Sequence, residues 1–150
     1  MAAAYELDGR VALVTGAARS IGEACAHKLA LSGARVAILD VDEAGAERVA
    51  ADIRSLGGDA IAVPVDVTDS AAVDSAVAGV VEQLGSLDIA VNNAGVTSDG
   101  ALTGELGDEG WRAILSVNLD GVFYCTRAEI RAMRERGGGS IVNMASILSA

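Results

Sequence analysis

Apolar residues along this chain fall into two alternating rhythms. Five short stretches, Arg10 to Thr15, Arg35 to Leu39, Ala60 to Val65, Leu87 to Val91 and Ser140 to Met144, hold runs of Val, Ile, Leu and Ala, as strands buried on both faces do. Between them the apolar positions recur at helical spacing. One helix carries Ile21, Ala24, Cys25 and Leu29 and stops at Ser32-Gly33. The next carries Ala46, Val49, Ala50 and Ile53 and closes at Gly57-Gly58. A third, capped by Thr68 or Asp69, carries Val73, Ala76, Val77, Val80, Val81 and Leu84 and ends at Gly85. From Val96 to Gly110 the chain is rich in Gly and Asp and reads as loop, with room for one helical turn near Leu102 to Leu106. A long helical pattern then runs from about Trp111 to Arg136 and ends at Gly137-Gly138-Gly139. It is apolar on more than one face between Ile114 and Cys125, which calls for deep burial or a second subunit packed against it.

The order is βαβαβαβαβ. Strands separated by helices of this length pair in parallel through right-handed crossovers, giving an α/β fold: an open, doubly wound sheet in three layers, with helices on both faces. Pro64 has no N–H to donate and suits an edge strand or a strand end.

Composition narrows the picture. The chain has 150 residues, 51% of them hydrophobic, enough for one domain with a real core. A net charge of −10 with a single lysine, Lys28, argues against a nucleic-acid partner. The one basic cluster, Arg127, Arg131, Arg134 and Arg136, falls at a helix end, where cations offset the negative pole of the dipole. Cys25 and Cys125 lie inside apolar helical patterns and read as core. His27 is the sole histidine, so no metal or His-based hydrolase constellation is expected. The N-terminal MAAAYELDGR lacks a basic leader, no run approaches a membrane span, and a reducing cytoplasm fits best.

In sheets of this kind the ligand sits beyond the carboxyl ends of the strands, where strand order reverses. The distinctive residues do follow strands. A glycine-marked turn, Gly16 to Gly22, follows the first and opens a helix, whose free N–H groups and dipole suit a pyrophosphate. Asp40 follows the second, Asp66-Val67 the third, Asn92 to Gly95 the fourth and Ser146 the fifth. Singly, Asp40 and Asp66 also read as helix caps, and Asn92 or Asn93 as turn formers. Asp40 follows Gly16 at close to the roughly 20-residue separation at which a carboxylate accepts from ribose hydroxyls. A carboxylate there repels a 2′-phosphate and favours NAD over NADP, while Arg19 in the glycine turn pulls the other way.

These residues carry a resemblance to the short-chain dehydrogenase/reductase family. The family often begins TGxxxGxG, here Thr15 to Gly22, and carries NNAG after the fourth strand, here Asn92 to Gly95; the likeness extends from Arg10 to Ser146. It implies a Rossmann-type sheet and a nicotinamide cofactor held at Gly16, Arg19, Ser20, Ile21, Gly22, Asp40, Asp66, Val67, Asn92, Ala94 and Gly95. In that scheme Asp66 and Val67 hold the adenine, and Asn92 braces the fourth strand. Asn118, in VNLDGVF, matches the family's helix asparagine, which helps hold a catalytic lysine; a buried bond to the backbone is its plain structural reading. Ser146 matches the serine that hydrogen-bonds the substrate oxygen. The reaction implied is hydride transfer between the cofactor and a small secondary alcohol or ketone, in a homodimer or homotetramer.

Two departures stand out. Ser20 replaces the middle glycine of the first motif and puts a Cβ where backbone should approach the pyrophosphate. The family's Tyr-x-x-x-Lys is missing: neither Tyr5 nor Tyr124 has a lysine four positions on. The chain is therefore expected to be the N-terminal part of such an enzyme, truncated at Ala150, where the fifth strand would be an open edge. A non-catalytic NAD-binding module is the alternative; a Rossmann-like methyltransferase is a third reading that Asn92 to Gly95 does not suit.

Overall fold

Five strands, β1 (Val11–Thr15), β2 (Arg35–Asp40), β3 (Ala60–Pro64), β4 (Ile89–Asn92) and β5 (Ser140–Asn143), form one parallel sheet in the computed structural model, which describes residues 6–98, 100 and 102–146. The order is β3-β2-β1-β4-β5, so strand order reverses between β1 and β4. Pro64 closes edge strand β3, where its missing donor interrupts no ladder.

Every residue of β1 is buried because successive side chains serve opposite cores. Val11 and Leu13 join Ala37 and Leu39 beneath α3 (Ser70–Leu84) and α5 (Val122–Arg134); Ala12 and Val14 join Val36 and Ile38 beneath α1 (Ser20–Leu31) and α2 (Glu43–Ser55). The α2 stripe is the one its spacing predicts: Ala46, Val49, Ala50 and Ile53. On α3 the predicted stripe is buried except for Val81, which is half-buried; Asp69 is its cap, accepting from the N–H groups of Ala71 and Ala72, and Gly85 ends it.

Three expectations need correction. The α1 stripe is rotated, with Gly22 and Ala26 buried while Ile21 is 60% exposed and Ala24 is exposed. The cause is Gly22, which packs on the β1 turn so closely that a Cβ would overlap the Gly16 carbonyl oxygen, and this fixes the helix rotation.

The long helix is not one α-helix. It opens at Asp108, inside the segment read as loop, as α4 (Asp108–Leu115); it widens to a π-helical turn over Ser116–Gly121 and resumes as α5. Leu102 to Leu106 does form a turn, with the Leu102 carbonyl accepting from Glu105 and Leu106; residues 99 and 101 of that loop lie outside the described residues.

Of the two readings open for its apolar faces, deep burial or a second subunit, deep burial does not hold. No α4 residue is fully buried, and Trp111, Leu119 and Phe123 are more than half exposed. Cys125 is core, as read from the sequence; Cys25 is half-buried.

Candidate functional site

The reversal between β1 and β4 opens a cleft of about 370 Å³. Of the residues expected to hold a cofactor, Gly16, Arg19, Ser20 and Ile21 line it from the first turn, Asp40 from the second strand end, Asp66 and Val67 from the third, and Ala94 and Gly95 from the fourth. Leu39, Val41, Val65, Val96 and Val117 give it apolar walls.

Two of the expected cofactor residues stand behind the lining. Gly22 is buried against the turn, and Asn92 is buried at the end of β4, where its Nδ2 donates to Asn143 Oδ1 on β5 at 2.9 Å and to Glu129 Oε2 on α5 at 3.0 Å.

Side chains join the first turn to the one after β4, beside backbone bonds from Ala17 to Leu39 and from Glu23 to Arg19. Thr15 Oγ1 accepts from the N–H groups of Asn93 and Ala94 at 3.0 and 3.1 Å, and Asn93 Nδ2 donates to the carbonyls of Thr15 and Gly16 at 3.1 and 3.0 Å. Gly16 has φ +63°, and a Cβ there would stand 2.8 Å from Ala94 Cα, so the two turns meet backbone to backbone. The start of α1, whose N-cap Arg19 makes no side-chain cap bond, borders this floor, a setting that suits an anion.

Ser20 is the exception. It is the one non-glycine residue with positive φ among the described residues, at +55°. The family glycine supplies this left-handed geometry without strain, whereas serine pays roughly 1–2 kcal/mol for it.

The two carboxylates at strand ends are not helix caps; Asp42 and Asp69 fill that role for α2 and α3. Asp40, which lines the cleft, accepts from Ala18 N–H and Asp42 N–H, both at 2.9 Å, and so ties the first turn to the second. Asp66 Oδ1 accepts from Thr68 N–H and Oγ1 at 2.9 and 2.8 Å.

Asn118 sits in the π-helical turn, exposed rather than buried. Its Oδ1 accepts from Val96 N–H and its Nδ2 donates to the Val96 carbonyl, both at 2.9 Å. It therefore makes the backbone bond of its plain reading, on the segment that continues from Gly95. Ser146 is exposed, three residues past β5, whose ladder continues through Met144 N–H to the Asn92 carbonyl. Neither Asn118 nor Ser146 lines the cleft.

The arginine cluster is not one unit. Arg127 donates to Ser70 Oγ at 2.7 Å and lies over the Phe123 and Tyr124 rings, and Arg131 faces Asp74 at 3.8 Å. Tyr5 lies outside the described residues. Glu23, His27 and Asp52 bring three ligand-type atoms within 4.8 Å of one another. Arg48 already bridges the two carboxylates at 2.9 and 3.3 Å, and its hydrogen bond holds the Glu23 carboxyl below its ordinary range.

Sequence reasoning missed Asn93 as the lock between turns, and Glu129. The second had a signal: Gly121, Cys125, Glu129 and Met133 recur every four residues, so the stripe that buries the others buries Glu129 too.

A family model for short chain dehydrogenases matches residues 10–150. The chain is 43% identical over 140 residues to 2,3-dihydro-2,3-dihydroxybenzoate dehydrogenase of Bacillus subtilis, covering 93% of this chain and 53% of that protein. It is 46% identical to D-threitol dehydrogenase of Mycolicibacterium smegmatis, covering 95% and 54%. Among solved structures, the 3-ketoacyl-(acyl-carrier-protein) reductase of Brucella melitensis complexed with NADH aligns with a TM-score of 0.87 and 41% identity, over 93% of this chain and 58% of that one. The chain spans about half the length of the curated relatives it matches. No helix among the described residues is long and apolar enough to cross a membrane.

Proposed function

The chain belongs to the short chain dehydrogenase family, and on that premise we propose that the whole protein is an oxidoreductase that passes hydride between a nicotinamide cofactor and a small secondary alcohol or ketone. The observation that carries this reading is the cleft itself: four strand ends deliver nine of the expected cofactor residues to one opening at the point of strand reversal.

The cofactor, when bound, supplies or takes the hydride. This chain's part is to hold and orient. The N–H groups opening α1 would hold the pyrophosphate, while Gly22, behind, sets the helix close to the Gly16 turn. Asp40 receives the ribose hydroxyls and disfavours a 2′-phosphate, which makes NAD the preferred cofactor over NADP; Arg19 is the countervailing charge. Asp66 and Val67 border the adenine, Ala94 and Gly95 the far ribose, and Asn92 keeps β4 fixed behind them.

Ser146 donates its hydroxyl to the substrate oxygen, and Asn118 fixes the π-helical turn beside Val96. The proton relay lies outside these 150 residues, which hold no tyrosine with a lysine four positions on. We assign residues 1–150 to one dinucleotide-binding domain. The exposed Trp111, Leu119, Phe123 and Ile130 of the α4–α5 helix support assembly of the whole protein as a homodimer or homotetramer.

Turnover tests the reading. The whole protein should reduce NAD with a cyclic or linear secondary alcohol, and Ser146→Ala should lower kcat about a hundredfold. A folded whole protein that binds NADH yet turns over no alcohol or ketone would instead select the non-catalytic NAD-binding module.

A further inference from the structure

Glu129 is fully buried, at 0% exposure, and meets no cation among the described residues. Its Oε2 accepts from Asn92 Nδ2 at 3.0 Å, and the second hydrogen of that amide goes to Asn143 Oδ1 at 2.9 Å, with Thr126 Oγ1 farther off at 3.3 Å. The other oxygen of each group, Glu129 Oε1 and Asn92 Oδ1, is buried without a hydrogen-bond partner among the described residues. Two groups already joined by one hydrogen bond thus each carry an orphaned acceptor. One proton resolves both, because on Oε1 it turns an acceptor into a donor.

We propose that Glu129 is carried as a neutral carboxylic acid, paired at two points with the Asn92 amide, and that this pair is a positioning device for the ends of β4 and β5. Burial pushes the Glu129 carboxyl up to about 7, with the Asn92 N–H pulling the other way. The Cys125 thiol on the same helix, raised to about 12, stays neutral. Asn92 and Asn143 are the polar side chains that β4 and β5 bring to this cluster. On the α3 side, Arg127 donates through Nη2 to Ser70 while its Nε is buried without a partner among the described residues, and Asp74 with Arg131 is exposed.

Loss of the proton removes the second bond and sets a negative charge against Asn92 Oδ1. The strain falls on an amide that precedes the cleft turn Asn93 to Gly95 and grips Asn143, three residues before Ser146. The pair stands without the cofactor reading; its effect on the cleft rests on it.

The test uses the whole protein with its glutamate carboxyl carbons labelled, titrated by NMR from about pH 5 to about pH 9, beside Glu129→Gln. NADH affinity is measured over the same range. Gln keeps a donor where the acid carries its proton, so this variant should fold. The resonance it lacks should titrate near about 7 in the wild type. Wild-type NADH affinity should fall about threefold or more from pH 6 to pH 8 while the variant stays level.

Titration in the ordinary carboxylate range, an unfolded Gln variant, or parallel NADH profiles would overturn the proposal. If neither protein bound NADH, the cofactor reading would fall, and the carboxyl titration alone would decide the pair.

Discussion

Asn93 Nδ2 donates to the Gly16 carbonyl at 3.0 Å, so the turn after β4 and the turn after β1 are a single unit. Thr15, buried below, completes it by accepting two backbone N–H groups through one hydroxyl. The cleft floor is therefore built by two strands far apart in sequence, Val14 pairing with Val91 across 77 residues and Thr15 bonding to Asn93 across 78.

Removing that lock should cost both stability and binding. Thr15→Val keeps the shape but strands the N–H groups of Asn93 and Ala94, and is expected to destabilise the protein by about 2–3 kcal/mol in urea unfolding, with weaker NADH binding by the folded fraction.

Ser20→Gly should tighten NADH binding. The left-handed φ of +55° suits glycine, and removing the side chain lets backbone approach the pyrophosphate. Stability should stay within about 1 kcal/mol, because relief of strain is offset by the greater freedom of glycine in the unfolded chain. An unchanged or weaker dissociation constant by titration calorimetry would refute this role for Ser20.

Asp40→Asn keeps one acceptor oxygen, enough for either the Ala18 or the Asp42 N–H but not both, and loses the charge that repels a 2′-phosphate, while Arg19 still lines the same cleft. The ratio of NADPH to NADH affinity should rise about tenfold or more, the equivalent of about 1.4 kcal/mol.

Glu129 also makes a pH prediction for stability. Its folded pKa of about 7 lies above its ordinary value of 4.5, so the folded state holds the proton more tightly. That contribution is fully present below about 4.5 and is lost as pH rises through about 7. Glu129→Gln should therefore gain on the wild type by about 2–3 kcal/mol between pH 4.5 and pH 8, read as the difference in unfolding free energy. Asp88, whose carboxyl is desolvated but held down by Val11 N–H, Ser86 and Arg10, titrates the same way in both proteins and cancels.

The sheet was legible because strand and helix periods alternate cleanly, and the cleft because its residues sit at strand ends, where a parallel sheet must bring them together. What escaped was set by contacts remote in sequence. The rotation of α1 follows from Gly22 packing on Gly16, not from the Ile21, Ala24, Cys25, Leu29 pattern. The π-helical turn leaves no composition mark; it follows from Asn118 gripping Val96 and Gly121 resting on Val67. Glu129 escaped because one charge inside an apolar stripe carries no mark of its burial, which comes from packing the stripe against β4.

The opening between β1 and β4 is the proposed seat of a nicotinamide dinucleotide. Titration of the whole protein with NADH, beside Gly16→Val checked for retained fold by circular dichroism, addresses it most directly. Binding should saturate at one site per chain, and the valine, placed against Ala94, should abolish it. Equal binding by a folded Gly16→Val protein, or binding of S-adenosylmethionine in place of NADH and NADPH, would contradict it.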